Sequence, residues 1–382
     1  MAKRASSILS RWVPLAVVAL VALGGCVAVP RDILRSEDEI ADLAALKRAA
    51  ARREVTTSCR PTRIGQGPEV RVALHETGEP SAGRIVVLIH GALSDHESWR
   101  FVSGALGADH GLILVDLPGC GESDRPEPEA LGSDGYGPDA LAARVCQALD
   151  QQLAGRRPRP RITLVGHSLG GTVAIRMMAS PDVRSRYDRL LRRVDRLVLF
   201  APVDVELCNP HPMLKRLPEV TAAQIRIADL SGYLTKRVYQ TTARSFDDPT
   251  RALLEEADKR LTMLRQSDTR RAAQAMFSQM VAMRADRPDW PAIERLVADY
   301  ANVDVPCLIV WGARDETLPV AMGYKLAAQL PRADLHVIGH AMHSLPLEHP
   351  SLCADLIRNF TATGSHEVTK SLSHEVVAAP AG

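Results

Sequence analysis

Seven short runs of apolar character, separated by segments with a helical pattern, constrain the fold of this chain most strongly. Most of the runs are nearly continuous in Val, Ile and Leu, which is typical of strands buried on both faces of a parallel sheet. Strands that alternate with helices predict an α/β fold with a doubly wound, mostly parallel sheet. The runs are residues 70–74, 84–89, 111–115, 161–165, 197–200, 307–311 and 335–338.

One long interval, residues 208–303, interrupts this alternation. It carries only helical patterns, and it is too long for an ordinary connection between two elements. We therefore predict a helical cap at 208–303, inserted between two parts of an α/β core at 60–207 and 304–361. Residues 362–382 are small and polar, so we expect a disordered tail there.

A pentapeptide of the form G-x-S-x-G directly follows one of the apolar runs. It spans Gly166–Gly170, after the run 161–165 and before a helical pattern at 172–178. A strand that turns sharply into a helix strains the serine backbone and needs very small neighbours two residues away. The hydroxyl of Ser168 then projects above the sheet, and the amide of Leu169 lies at a helix N-terminus, where it can stabilise an oxyanion. This context predicts Ser168 as a nucleophile.

A serine hydroxyl needs a base, and the base needs a group that orients it. In enzymes with this pentapeptide, the acid and then the histidine follow the serine along the chain. Candidates of both kinds follow the last two apolar runs. They are the carboxylates Asp315 and Glu316 and the histidines His340, His343 and His349.

Together these motifs resemble the α/β-hydrolase family of serine esterases and lipases, over residues 84–360 with the cap as the unmatched part. The resemblance implies an α/β-hydrolase fold and a Ser–His–Asp triad. In the family the catalytic histidine leads into a Glu-x-Pro segment, as His343 leads to residues 348–350. It therefore implies His343 as the base, with His340 as the alternative. A Gly-x-x-Asp turn similarly implies Asp315 as the acid.

The resemblance also indicates the oxyanion hole. A His-Gly pair after an early strand leads in the family to a backbone amide that lines the hole. Here that pair is followed by Ala92, with Leu93 as the alternative, so Ala92 and Leu169 are the predicted donors. His90 and Asp116 are assigned structural roles.

The N-terminal segment indicates export and a lipid anchor. Three basic residues within the first 11 precede an apolar run at 12–23, and the tetrapeptide Leu23–Cys26 follows. This order is typical of a secretory signal, and it resembles a bacterial lipoprotein signal. The resemblance implies that residues 1–25 are cleaved off and that Cys26 is lipidated. Residues 26–59 would then form the anchor and a helical spacer.

This interpretation places the protein outside the cytoplasm, held on a membrane of the bacterial cell envelope. Two alternatives stay open, a secreted protein and a single-pass anchor. The second arises because no charged residue occurs between Arg11 and Arg31, a stretch long enough to span a bilayer.

Charge and cysteine content say little about partners. The formal net charge of +2 gives no reason to expect nucleic acid. The six cysteines other than Cys26 match no zinc pattern, and an extracytoplasmic location would permit disulfides whose connectivity the sequence leaves open. Cys146 and Cys307 fall in apolar segments and are predicted to be buried free thiols.

The function that these residues indicate is hydrolysis of carboxylic esters through an acyl-enzyme, as in a carboxylesterase or lipase. The substrate would be a small-molecule or lipid ester, selected largely by the cap, and the chemistry needs no metal or organic cofactor. A thioesterase, an amidase or peptidase and a perhydrolase remain alternatives on the same triad. A non-catalytic binding protein on this scaffold is the alternative from another class, and hydrolysis is not distinguished from acyl transfer.

Overall fold

The computed structural model describes residues 48, 51, 54–79, 83–107, 109–204, 222–247, 253–284, 287–363 and 376–377. The expected signal, Cys26 and most of the expected spacer lie outside the described residues. Among the helices that are described, none has both the length and the apolar character needed to cross a membrane.

A mixed sheet of nine strands forms the centre of the protein. Its strands are β1 Thr56–Thr62, β2 Val70–Gly78, β3 Arg84–Ile89, β4 Gly111–Val115, β5 Arg161–His167, β6 Val194–Phe200, β9 Cys307–Gly312, β10 Ala333–Ile338 and β11 Val376–Val377. Their order is β1-β2-β4-β3-β5-β6-β9-β10-β11. All pairs from β4 to β10 are parallel, whereas β1, β2 and β11 pair antiparallel. The predicted α/β fold with a mostly parallel sheet is confirmed.

Helices cover both faces of this sheet and connect its strands. They are α1 Arg100–Leu106, α2 Pro128–Leu131, α3 Pro138–Leu153, α4 Leu169–Ala179, α5 Pro181–Arg186, α6 Asp188–Leu191, α7 Ala222–Leu230, α8 Tyr233–Ala243, α9 Leu253–Arg265, α10 Ser267–Gln279, α11 Trp290–Ala298, α12 Ala321–Gln329, α13 Leu345–Glu348 and α14 Pro350–Thr363. Short 3₁₀ helices span His96–Trp99 and Asp299–Asn302.

Strand β3 shows why its run is apolar throughout. Ile85, Val87 and Ile89 pack into the core on one face of the sheet, with residues of α3 and α4. Val86 and Leu88 pack into the core on the other face, with residues of α1 and α14. Because successive side chains of a strand point to opposite faces, a strand covered on both sides is apolar at every position.

The interval predicted as a helical cap is largely helical where it is described. It contains α7 to α11, and a small hairpin of strands β7 Met283–Arg284 and β8 Arg287–Pro288 interrupts it. The sequence did not indicate this hairpin, because two-residue strands leave no periodic pattern. Residues 205–221, where the cap was predicted to begin, lie outside the described residues.

Two further features differ from the expectations. Strand β1 was not predicted, because its residues are mostly polar and exposed and it pairs only through β2 at the edge of the sheet. The predicted disordered tail begins inside α14 and includes β11, which pairs with β10. The five described cysteines are all free, and Cys146 and Cys307 are buried.

Candidate active site

Ser168 lies at the sharp turn between β5 and α4. Its backbone has φ 52° and ψ −120°, a conformation that costs a non-glycine residue free energy. Glycines make the turn possible, because a Cβ atom at Gly166 would collide with the carbonyl of Gly170. A Cβ atom at Gly170 would in turn collide with the carbonyls of Ile89 and His90. The small residues of the pentapeptide therefore allow strand and helix to approach closely enough to hold Ser168 in the turn between them.

Asp315 and His343 are brought together from the loops after β9 and β10. The Nδ1 atom of His343 lies 2.8 Å from Oδ2 of Asp315, and the Asp315 side chain is fully buried. The other carboxylate oxygen accepts the backbone N–H groups of Thr317 and Leu318, each at 2.8 Å. These bonds fix the carboxylate, and the carboxylate in turn orients the imidazole of His343. Its Nε2 atom, on the side of the ring away from Asp315, remains available for another hydrogen bond.

The other predicted histidine and carboxylate occupy different positions. His340 packs edge-on against His349, with ring centroids 4.7 Å apart. Glu316 follows Asp315 in the same turn, but it is Asp315 that bonds to His343. The geometry therefore favours His343 and Asp315 over the alternatives at both positions.

Glu348 holds the loop that carries His343. It is 1% exposed, and its Oε2 accepts the backbone N–H of Met342 at 3.1 Å. Its Oε1 accepts the N–H of Asp247, in the cap, at 2.7 Å. The Glu-x-Pro segment thus does more than follow the histidine, because its glutamate ties the histidine loop to the cap.

The residue before the nucleophile also contacts the histidine loop. The Nε2 atom of His167 donates a hydrogen bond to the backbone carbonyl of His343 over 2.8 Å. The two rings lie 5.0 Å apart, centroid to centroid. Burial and the neighbouring His343 lower the pKa of His167 to about 3, so this imidazole is neutral at physiological pH.

The loop after β3 approaches the nucleophile closely. A Cβ atom at Gly91 would lie 3.1 Å from the Cβ of Ser168, and Ala92 lines the same cavity as Ser168. His90 anchors this loop, since its Nδ1 donates to the carbonyl of Gly91 at 2.7 Å and its Nε2 accepts the N–H of Leu117 at 3.0 Å. Burial lowers the pKa of His90, which agrees with this neutral, structural role. Leu169 is the first residue of α4, where backbone N–H groups lack partners within the helix.

A cavity of about 40 Å³ connects these groups. It is lined by Ser168, His343 and Ala92 from the core and by Glu256 and Arg260 from α9 of the cap. Pockets for small ligands commonly measure about 300–1,000 Å³, so the space beside Ser168 is small for a substrate.

The guanidinium of Arg260 is incompletely paired in this cavity. Its Nη1 donates to Thr242 at 3.3 Å, and its buried Nε has no hydrogen-bond partner among the described residues. Glu256, on the same helix, pairs instead with Arg100 at 2.9 Å. The cavity therefore presents a donor on a positively charged side chain.

Comparison with known proteins assigns the chain to a family. The model of the alpha/beta hydrolase family matches residues 86–356, which is well over half of the chain. This protein belongs to the α/β hydrolase family. In the hydrolase, Ser168, Asp315 and His343 all lie in loops that follow parallel strands of the sheet.

Relatives of the hydrolase are similar over most of its length. An uncharacterized protein of Mycobacterium tuberculosis is 26% identical over 289 residues, covering 74% of this chain and 76% of its own. A 2-hydroxy-6-oxononadienedioate/2-hydroxy-6-oxononatrienedioate hydrolase of Burkholderia vietnamiensis is 27% identical over 301 residues, covering 75% and 89%.

A solved structure is similar to the hydrolase in fold. The 2-hydroxy-6-oxo-6-phenylhexa-2,4-dienoate hydrolase from Rhodococcus sp. strain RHA1 superposes with a TM-score of 0.59 and 19% identity, covering 81% of this chain and all of its own. Because the sequence identity is 19%, this similarity shows a shared fold alone.

Sequence reasoning missed three residues of the site. His167 stands inside the pentapeptide, but no pattern indicated its bond to the His343 loop. Glu348 was visible as part of Glu-x-Pro without its role in tying that loop to the cap. Arg260 belongs to an ordinary helical pattern, so its position in the cavity follows only from the packing of the cap on the core.

Proposed function

We propose that this hydrolase cleaves carboxylic esters through an acyl-enzyme formed on Ser168. The observation that carries the proposal is the Asp315–His343 hydrogen bond of 2.8 Å beside the cavity that Ser168 and His343 share. A carboxylate on Nδ1 leaves Nε2 of the imidazole to take the serine proton. A strained serine, a buried aspartate and a histidine, in this order along the chain, serve acyl transfer.

Each group has one role in the proposed reaction. Ser168 attacks the ester carbonyl while His343 accepts its proton, and Asp315 stabilises the imidazolium that forms. The amides of Ala92 and Leu169 donate to the oxyanion, each contributing about 3 kcal/mol to the stabilisation of the transition state in comparable sites. His343 then protonates the leaving alcohol, and water releases the acid by the same steps in reverse. The side chains and amides of the chain carry out every step.

A serine-directed fluorophosphonate tests the nucleophile, and 4-nitrophenyl esters of graded chain length test the reaction. We expect the probe to label the wild type and not Ser168→Ala, and we expect esters to be turned over faster than matched thioesters and anilides. Labelling that persists in Ser168→Ala, or no labelling of folded wild type, would overturn the assignment. Faster turnover of thioesters or anilides would instead make it a thioesterase or an amidase.

A second candidate reaction is hydrolysis of a carbon–carbon bond next to a ketone. The relative from Burkholderia vietnamiensis is named as a hydrolase of an oxo-dioate, a compound with no ester or amide bond to hydrolyse. Arg260 favours this candidate, because a dioate carries carboxylates that a guanidinium in the cavity would bind. Turnover of a 2-hydroxy-6-oxo-dienoate at a higher kcat/KM than that of any 4-nitrophenyl ester would select it.

We further propose that the mature protein is a lipoprotein of the bacterial cell envelope, anchored through Cys26. A basic start, an apolar run and the tetrapeptide Leu23–Cys26 support this. The test is expression in a bacterium with lipoprotein processing, followed by membrane fractionation and mass spectrometry of the N-terminal peptide. We expect diacylglyceryl-modified Cys26 in the wild type and an unprocessed precursor for Cys26→Ser. Identical processing of the two proteins would indicate a simple signal or an uncleaved anchor.

A further inference from the structure

Two imidazoles and a carboxylate converge where β2 passes the end of β4, in a cluster formed by His75, His96 and Asp116. Nε2 of His75 lies 2.9 Å from Oδ2 of Asp116, and Nδ1 of His96 lies 3.1 Å from the same oxygen. The imidazole rings are stacked, with centroids 3.6 Å apart. Each of the three residues offers one ligand atom, and these three atoms all lie within 4.8 Å of one another.

Asp116 is held so that its remaining lone pairs face the imidazoles. Its side chain is fully buried. Oδ1 accepts the backbone N–H of His96 at 2.7 Å, and Oδ2 accepts that of Glu122 at 2.8 Å. A carboxylate has about four acceptor sites, so each oxygen keeps one site after these bonds.

The outward nitrogens of both rings have oxygen partners. Nδ1 of His75 lies 2.9 Å from the hydroxyl of Thr57, and Nε2 of His96 lies 3.2 Å from a carboxylate oxygen of Glu97. Histidines that bind a metal almost always pass their second N–H to such an acceptor, which fixes the tautomer with the coordinating nitrogen unprotonated. In the structure the inner nitrogens donate to Asp116. A metal ion would replace these protons, and Thr57 and Glu97 could then accept the N–H groups of the outer nitrogens.

We propose that His75, His96 and Asp116 form a binding site for a divalent transition metal such as Zn²⁺. Neighbouring ligand atoms around tetrahedral zinc lie about 3.3 Å apart for bonds of 2.0–2.1 Å. The two nitrogen–oxygen separations, 2.9 and 3.1 Å, are a few tenths of an ångström shorter than this. The two ring nitrogens lie within 4.8 Å of each other, and the stacked rings must turn for both nitrogens to face one ion. His96 is 14% exposed, so a cation can reach the site from solvent and a water molecule can complete its coordination.

The site connects three segments that are far apart in the sequence. His75 belongs to β2, Asp116 follows β4, and His96 begins the 3₁₀ helix at the end of the loop that contains Ala92. A bound ion stabilises the folded state by mass action, and it does so next to the loop with the predicted oxyanion donor. The site is a structural device, separate from the acyl-transfer residues.

Isothermal titration of the metal-free full chain with ZnCl₂ tests the proposal. Cys59 is an exposed free thiol on the neighbouring β1, so the reference protein is Cys59→Ser. We expect one saturable site in this reference and a rise of its melting temperature with Zn²⁺. His75→Gln and His96→Gln in the same background should each weaken the affinity at least 30-fold. Thr57→Val, which removes only the outer hydroxyl, should weaken it about 10-fold. His340→Gln should bind like the reference.

Co²⁺ supplies the second measurement, since visible absorption bands report its coordination directly. We expect these bands in the reference and not in His75→Gln or His96→Gln, and circular dichroism and metal-free melting curves establish that the variants are folded. Absence of one-to-one binding in the reference would overturn the proposal, and the cluster would then be a hydrogen-bonded network alone. Unchanged Zn²⁺ affinity in both folded histidine variants would overturn it as well.

Discussion

His167 and His343 are joined by a hydrogen bond from the imidazole of one to the backbone carbonyl of the other, over 2.8 Å. The two residues are 176 positions apart in the chain, yet one precedes the predicted nucleophile and the other is the predicted base. This bond fixes the main chain of the base relative to the strand that presents Ser168. It therefore fixes the predicted base relative to the predicted nucleophile.

Replacing His167 by Asn should lower kcat about 10-fold, the equivalent of one lost hydrogen bond of about 1.4 kcal/mol. The reason is that the His343 loop loses one of its fixed points while the nucleophile remains. KM should stay within about a factor of two, because the lost bond runs to the backbone of the predicted base. Steady-state ester kinetics measure this, with His340→Asn as the control. A change confined to KM would contradict a positioning role.

The same histidine should make stability depend on pH. Its pKa is lowered to about 3 in the folded protein, whereas it is about 6.5 in an unfolded chain. Between pH 6.5 and 3 the unfolded chain therefore binds more protons at this residue, so its contribution is complete above pH 6.5 and is lost as the pH falls. Urea unfolding at pH 7.5 and 5.0 should show wild type losing on the order of 1 kcal/mol more than His167→Asn. Equal losses would contradict this.

Asp315→Asn should reduce kcat about 10⁴-fold, because the amide stabilises the wrong tautomer of His343 and no charge faces the imidazolium. The fold should be retained, since the amide oxygen can still accept the N–H groups of Thr317 and Leu318. Single-turnover ester cleavage measures the effect, and Glu316→Gln is the matched control next to it. If Glu316→Gln lost as much activity as Asp315→Asn, the acid would have been assigned to the wrong carboxylate.

Gly170→Ala should destabilise the protein by about 3 kcal/mol or more. The added methyl group meets the backbone carbonyls of Ile89 and His90, and neither can move without separating β3 from α4. Gly155→Ala is the comparison, since the space around that Cβ is open within 4 Å. Urea unfolding of both variants measures the difference. Comparable stability of the two would show that the turn tolerates more volume than its geometry indicates.

Arg260 should make the enzyme prefer an ester that carries a carboxylate over a neutral ester of the same chain length. A suitable pair is the 4-nitrophenyl monoester of glutaric acid and 4-nitrophenyl valerate, which differ by one carboxylate. We expect Arg260→Gln to lower the kcat/KM ratio of charged to neutral ester about 10- to 100-fold, as for a lost charge-assisted hydrogen bond. Arg260→Lys should retain part of the preference. Arg265→Gln, whose exposed side chain pairs with Asp229 at 2.7 Å, should leave the ratio unchanged. An unchanged ratio in Arg260→Gln would show that Arg260 does not bind the carboxylate of the substrate.

The central strands and helices could be predicted because burial on both faces leaves a direct mark in the sequence. The strands at 84–89 and 111–115 have the predicted bounds. Strand β1 was not predicted, because an exposed edge strand needs no apolar run. In the same way, the turn at Ser168 was predictable because only glycines fit its close contacts.

Contacts between distant segments could not be predicted. His75, His96 and Asp116 come from three separate elements, and nothing near any of them in the sequence indicates the other two. Arg260 reaches the cavity because α9 docks on the core through the Arg100–Glu256 and Lys259–Asp95 ion pairs. Such contacts depend on how whole helices pack, which a local pattern of residues does not record.

The hydrogen bonds between the cap and the His343 loop link the position of the cap to the orientation of the imidazole. Ser344 donates its N–H to the carbonyl of Ser245 at 2.9 Å, and Glu348 accepts that of Asp247. If the cap swings aside to admit a substrate, these bonds loosen and the imidazole loses its support. A molecule that displaces this part of the cap would therefore also disturb the predicted base.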